Sequence, residues 1–205
     1  MSNTHEPRPN CYTCYRPSSS CMCDVITPIQ TQTRFVLLMH PKEFKRTKNG
    51  TGHFTHLSLA QCELYVGIDF SRVPAIERII NDPNNHCYVL YPSDTAIDLN
   101  HQSIGISNKN IVIFLIDATW PCSRAMLRAN PKLDALEKVS FTHDKRSAFG
   151  FKEQPNIAAL STMESTLCLL ERLQSQGIEE LSQSALDGFL RPFEKMVAYQ
   201  LSQHH

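Results

Sequence analysis

The sequence predicts an α/β domain built on a mainly parallel sheet flanked by helices, preceded by a small cysteine-rich knuckle. Three observations carry this. An unbroken apolar, β-branched run at 110–116 reads as a strand buried on both faces, the mark of a parallel sheet. Other short apolar runs alternate with stretches of helical period, as βα units do. Cys11, Cys14, Cys21 and Cys23 crowd into one short stretch of an N-terminus poor in aliphatic side chains.

The knuckle comes first. Residues 1–33 carry three prolines before position 18 and three consecutive serines. Such a segment cannot bury enough surface to fold alone. Four thiolates around a tetrahedral zinc ion would supply the missing organisation, since zinc binding is then folding free energy. Four protein ligands leave no open position, so the role would be structural. Redox chemistry is the alternative. Cys62, Cys87, Cys122 and Cys168 are scattered and read as small core residues.

The body, 34–205, follows. Residues 34–39 read as the first strand, closed by His40-Pro41. Runs at 64–68 and 87–91 are further strand candidates. Between them, 74–80 has helical apolar spacing with Pro74 at its start. After the 110–116 strand come a helix over roughly 121–129 and a short strand near 139–141. Ser161 and Glu164 form a capping-box pattern, leading into a face of Leu167, Leu170 and Leu173. The last apolar period takes in Leu186, Phe189, Leu190, Phe193, Met196, Val197 and Leu201, and Pro192 within it forces a kink or a fresh start.

Bulk properties narrow the function. At 205 residues, 41% hydrophobic, the chain suits one soluble domain with a small appendage. No apolar run approaches the roughly 20 residues of a membrane span. Residues 1–34 lack the apolar core of a secretion signal, so the expectation is a cytoplasmic protein without membrane contact. Twenty basic residues balance twenty acidic ones, without the global basic excess common among nucleic-acid binders. The charge is clustered, however. Lys42, Lys45, Arg46 and Lys48 share one loop. Arg124, Arg128 and Lys132 would share one face of a continuous helix. Lys145, Arg146 and Lys152 form a third group. Each group is either a solvated surface or a phosphate-contacting one. Neither a G-x-G-x-x-G turn nor a Walker loop occurs, which argues against dinucleotide and P-loop sites.

Chemistry is expected beyond the carboxyl ends of the strands, where ligands bind in open α/β sheets. Four segments fall there or at helix starts. Asn49-Gly50-Thr51-Gly52 is either a glycine turn or a place where backbone approaches a ligand. Leu90-Tyr91-Pro92-Ser93 ends a strand with a hydroxyl. Asp117-Ala118-Thr119-Trp120 offers an acid, a hydroxyl and the only tryptophan. The fourth segment runs from 147 to Glu164. Asp117 suits two readings, a cap on the following helix, or a general base or substrate-orienting acid. Trp120 suits a core position or a surface on which a base stacks.

These segments also carry a resemblance. Asp117-Ala118-Thr119-Trp120 followed by Ala125-Met126 resembles the signature of the DTW-domain family. The cysteine knuckle with Arg16-Pro17, His40-Pro41-x-Glu43, Thr51-Gly52, Leu90-Tyr91-Pro92-Ser93 and Leu160-Ser161-Thr162-x-Glu164 occur in that family's order. Three positions depart from the usual pattern: Lys152 for arginine, Phe149 for tyrosine and Ser165 for alanine.

The resemblance implies a SPOUT-like fold, with a possible knot in the C-terminal half. It also implies transfer of the 3-amino-3-carboxypropyl arm of S-adenosylmethionine to N3 of a tRNA uridine, releasing 5′-methylthioadenosine. N3 carries a proton at neutral pH, so the attack needs a base or a polarising group, and Asp117 is the candidate, with Thr119 and Trp120 beside it. Donor-binding candidates are Thr51, Gly52, Leu90, Tyr91, Pro92, Ser93, Asp117, Arg124, Ser161, Thr162 and Glu164. RNA-binding candidates are Lys42, Lys45, Arg46, Lys48, Arg128 and Lys152. The rival readings are an RNA methyltransferase using the same donor, and a non-catalytic zinc-dependent RNA-binding protein.

Overall fold

A computed structural model describes residues 10–45, 50–105, 108–142 and 160–202. Among them six strands form one sheet, in the order β2-β1-β5-β3-β6-β4, and every adjacent pair runs parallel. The strands are β1 (Arg34–Met39), β2 (Cys62–Val66), β3 (Asn85–Leu90), β4 (Ile97–Asp98), β5 (Asn110–Asp117) and β6 (Glu137–Ser140). The helices are α1 (Pro41–Phe44), α2 (Gly52–Ser58), α3 (Pro74–Asn81), α4 (Trp120–Ala129), α5 (Pro131–Asp134), α6 (Thr162–Ser175), α7 (Gln183–Phe189) and α8 (Arg191–Ser202). No helix among the described residues is long and apolar enough to cross a membrane.

The central strands are buried on both faces, as their unbroken apolar runs predict. Alternate residues of β1 and β5 feed two cores. Phe35, Leu37, Met39, Ile113 and Leu115 pack with Phe54 of α2, Leu169, Leu170 and Leu173 of α6, Phe189 of α7 and Met196 of α8. Val36, Leu38, Val112 and Phe114 pack with Ile76 and Ile79 of α3, Met126 and Leu127 of α4 and Leu133 of α5. The molecule is therefore three-layered. The crossover from β1 to β2 uses one face and the return to β3 the other. Parallel crossovers of one hand require this when the direction of winding reverses.

Several elements differ from the sequence reading. β2 begins at Cys62, two residues early, because its edge position lets the polar Glu63 into the ladder, where it pairs with Arg34. The supposed common face of Arg124, Arg128 and Lys132 does not form. Asn130 ends α4: its side chain accepts from Phe70 N at 2.6 Å and donates to Met126 O at 2.6 Å and Ile68 O at 2.8 Å. Lys132 falls on α5 and pairs with Glu77 at 2.6 Å. On α6 the buried stripe is Met163, Thr166, Leu169, Leu170 and Leu173, with Leu167 half-exposed at its margin. Pro192 starts a new helix, α8, and Leu201 at its end is exposed.

The knuckle is seated on the body. Cys14, Met22 and Ile29 belong to the same core as β1 and α6. The carboxylate of Glu179, 2% exposed, accepts from Gln32 N at 2.8 Å and Thr33 N at 2.7 Å and so fixes the entry into β1. The path from 143 to 159, on which a knot would turn, lies outside the described residues.

Candidate active site

β5 ends at Asp117, and α4 begins three residues later with Pro121 in its first turn. That placement sets three candidate residues, Asp117, Thr119 and Trp120, at the carboxyl edge of the sheet. Thr119 is the N-cap of α4, with extended backbone but no side-chain bond to the helix. Asp117 therefore does not act as the cap.

A cleft of about 330 Å³ lies over the ends of β3 and β5. Leu90, Tyr91 and Pro92 line it from β3, and Leu115, Ile116 and Ala118 from β5. Thr119, Trp120 and Ser123 close one side, and Leu160, Thr162 and Ser165 the other. Tyr91 and Trp120 meet edge to face, with centroids 5.5 Å apart at 61°. This is a favoured aromatic geometry, and it leaves a flat apolar wall beside polar helix starts. Ser123 Oγ donates to Trp120 O at 2.9 Å, bracing the first turn of α4.

Asp117 stands behind this cleft, not in its wall. Its side chain follows Ile113 and Leu115 onto the face that carries α2 and α6, and it is 8% exposed. Thr162 Oγ1 donates to Asp117 Oδ1 at 2.6 Å. Oδ2 is buried with no hydrogen-bond partner among the described residues. It lies against Gly52, the first residue of α2: a Cβ there would overlap Oδ2 and stand 2.7 Å from both Asp117 Cγ and Met39 Cε. Burial pushes the Asp117 carboxyl up to about 6; the Thr162 bond pulls it down and the nearby charge of Glu43 raises it. A carboxyl held there can exchange a proton near neutral pH.

The other candidates divide clearly. Thr51 and Gly52 sit behind Asp117 at the start of α2, away from the cleft lining. Ser93 is exposed, 3.4 Å from Thr95 Oγ1, and Arg124 is exposed on α4; neither lines the cleft. Ser161 and Glu164 complete the capping box of α6, with Ser161 Oγ accepting from Glu164 N and Glu164 Oε2 from Ser161 N. These bonds fix the first turn of α6, which presents Thr162. Lys42, Lys45 and Arg128 are exposed. Arg46, Lys48 and Lys152 lie outside the described residues, as do Asn49, Lys145, Arg146 and Phe149. The sequence reading missed Ser123 and Ser165 as cleft residues. Their spacing, four residues after Thr119 and Ser161, puts each one turn along the same helix edge.

The cysteines of the knuckle converge. Cys11 and Cys23 Sγ are 3.7 Å apart, Cys14 and Cys21 Sγ are 3.8 Å apart, and all four lie within 4.8 Å of one another. Zn–S bonds of about 2.3 Å in a tetrahedron require about 3.8 Å between sulfurs, so the donor set fits a structural zinc ion. Backbone N–H groups of Cys14 and then Thr13 hold the Cys11 thiol down to about 6, while burial pushes the Cys23 thiol up. Tyr15, which follows Cys14, has φ +59°. Its ring packs on Phe44 of α1 and His53 of α2, at centroid distances of 5.6 and 5.0 Å. Arg16 lies over Phe54 of α2 at 5.8 Å and donates from Nε to Ser20 O at 2.9 Å. The knuckle thus buttresses the helix whose first residue abuts Asp117.

The family model for the DTW domain matches residues 8–201. The chain belongs to the DTW-domain family. Its named motif, Asp117 to Trp120, is the turn that joins the buried carboxyl to the cleft. The chain is 30% identical over 201 residues to a Drosophila melanogaster protein named tRNA-uridine aminocarboxypropyltransferase 2, covering 95% of this chain and 76% of the fly protein. Proteins of the same name from Mus musculus and Macaca fascicularis are 25% and 24% identical. This DTW chain spans 65% of the length of each of those two. No solved structure matches the chain.

Proposed function

We propose that this chain is a transferase that moves the 3-amino-3-carboxypropyl group of S-adenosylmethionine to N3 of a uridine in tRNA, giving 5′-methylthioadenosine. The observation that carries the reading is the DTW turn itself. It sets an aromatic-walled cleft against a buried carboxyl within a chain of which 95% aligns with the fly protein.

The cleft suits both partners of the reaction. Tyr91 and Trp120 offer faces on which a purine or pyrimidine ring stacks. Thr119, Trp120 and Ser123 bring the start of α4, which has no side-chain cap, and with it the positive dipole end, to the cleft. A carboxylate such as that of the donor's arm is stabilised there. The donor's sulfonium is a good leaving group, so the protein's task is to line up the carbon next to sulfur with N3 and to accept the N3 proton. Asp117 is the proton acceptor in this reading. Lys42 on α1, Lys45 just after it and Arg128 on α4 are exposed, and in this reading they contact tRNA phosphates. Zinc held by Cys11, Cys14, Cys21 and Cys23 would supply folding free energy rather than chemistry.

The test is mass spectrometry of nucleosides from unmodified tRNA incubated with the protein and S-adenosylmethionine, with methylthioadenosine assayed in parallel. Aminocarboxypropyl-uridine with matching methylthioadenosine is expected. A methyl shift with S-adenosylhomocysteine would overturn the reading in favour of a methyltransferase. Binding without either product would overturn it in favour of a non-catalytic RNA-binding protein.

A further inference from the structure

Asp117 is the acid of the DTW turn, yet its carboxyl does not reach the cleft it would serve. The face toward the cleft is taken by its neighbours Ile116 and Ala118, which point to the other side of β5. One polar atom spans the gap. Thr162 lines the cleft and also donates its hydroxyl proton to Asp117 Oδ1 at 2.6 Å. Its position is set closely. Ser161 and Glu164 cap the helix just before it, and Thr166 Oγ1 donates to Thr162 O at 2.7 Å one turn later. We infer that Thr162 is a proton relay between the substrate in the cleft and Asp117. This rests on the transferase reading above.

The step balances. The N3 proton passes to Thr162 Oγ1 as the hydroxyl proton of Thr162 passes to Asp117 Oδ1. The N3 lone pair forms the new N–C bond, and the C–S electrons return to sulfur as methylthioadenosine leaves. Threonine ends unchanged, the carboxylate ends neutral and the sulfonium charge is gone. A relay of this kind explains why a base can sit dry behind the wall, where burial raises its affinity for a proton. The groups around it leave few rivals. α1 brings Glu43, whose charge raises the Asp117 carboxyl; α2 brings Gly52; His40 offers its backbone N–H to Asp117 O at 3.0 Å; and Glu164 on α6 is turned to Ser161 N.

The experiment compares Thr162→Val, Thr162→Ser and wild type for turnover against pH, with donor affinity measured by calorimetry and folding by circular dichroism. Wild type and Thr162→Ser should share a rate that rises through about pH 6, where Asp117 loses its proton. Thr162→Val should fold, bind donor and lose about 100-fold or more in turnover, the scale of a lost acid–base path. Its residual rate should lose the limb near 6 and rise only as N3 itself ionises. Thr162→Val with the wild-type rate and the same limb would overturn the relay while leaving the transferase reading intact. Equal loss in Thr162→Ser, which keeps the hydroxyl, would overturn it too. Absence of product from wild type would instead overturn the reading on which the relay rests.

Discussion

Asp117 Oδ2 occupies the space in which a side chain at position 52 would begin, so the acid and Gly52 are fitted to each other. Gly52→Ala should therefore act as overpacking in a site walled by Met39 and Asp117. We expect a loss of about 1–3 kcal/mol in urea unfolding, together with a large fall in turnover as the carboxyl is displaced from Thr162. Unchanged stability and turnover would mean that α2 yields easily, contrary to its packing through Phe54.

Asp117 also makes a stability prediction of definite sign. Its carboxyl is raised in the folded state, to about 6 from an ordinary 3.8. A raised acid binds its proton more tightly folded than unfolded. Its stabilising contribution is thus complete below pH 3.8 and lost as pH rises through 6. Two units correspond to about 3 kcal/mol at most. Asp117→Asn should then match wild type in denaturation near pH 4 and exceed it by roughly 2–3 kcal/mol at pH 8, while losing transferase activity. A variant less stable than wild type at pH 8 would contradict the picture of a strained, buried carboxylate.

Elemental analysis should find one zinc per chain, and Cys11→Ser with Cys14→Ser should abolish it. The consequence should reach beyond residues 10–33. Cys14 and Met22 are 1% exposed within the main core, so releasing the knuckle uncovers that core. We expect chelation to cost about 3 kcal/mol or more, a fall of roughly 6–12 °C in melting temperature. Hydrogen exchange should show α2 losing protection with the knuckle. Loosening confined to the knuckle would contradict the packing of Tyr15 and Arg16 on α2.

Trp120→Ala removes one wall of the cleft and the edge partner of Tyr91. Base stacking on an aromatic is worth about 1–3 kcal/mol, so KM for donor or tRNA should rise about tenfold or more. Which of the two KM values rises identifies the ring that stacks there. Neither rising would make Trp120 a packing residue alone.

The sequence exposed those parts of the fold that rest on local chemistry. The apolar runs of β1 and β5 marked central parallel strands, and the Ser161–Glu164 capping box marked the start of α6 to the residue. The cysteine spacing foretold a four-thiolate cluster that the structure brings together. What stayed hidden depends on tertiary placement. Periodicity shows that β5 alternates faces but not which helix waits on each, so Gly52 and the cleft were grouped together although Asp117 separates them. The helix carrying Arg124 and Arg128 stopped short of Lys132 because Asn130 finds partners 60 and more residues away. β4 is two residues long and has no period to read.

The position of β5 has a consequence for how the chain comes to be folded as it is made. It pairs with β1 on one side and β3 on the other, and β1 and β3 do not pair with each other. A nascent chain that ends before residue 110 therefore holds the β1–β2 pair and two lone strands, β3 and β4, with the middle of the sheet still unsynthesised. The clamp that Glu179 places on Gln32 and Thr33 closes over a separation of 147 and 146 residues, later still. Early elements wait on late ones, and contacts so distant in sequence form slowly. The sheet can be completed only after β6 has been made, and the cleft and the Thr162 contact to its acid only after α6 has followed.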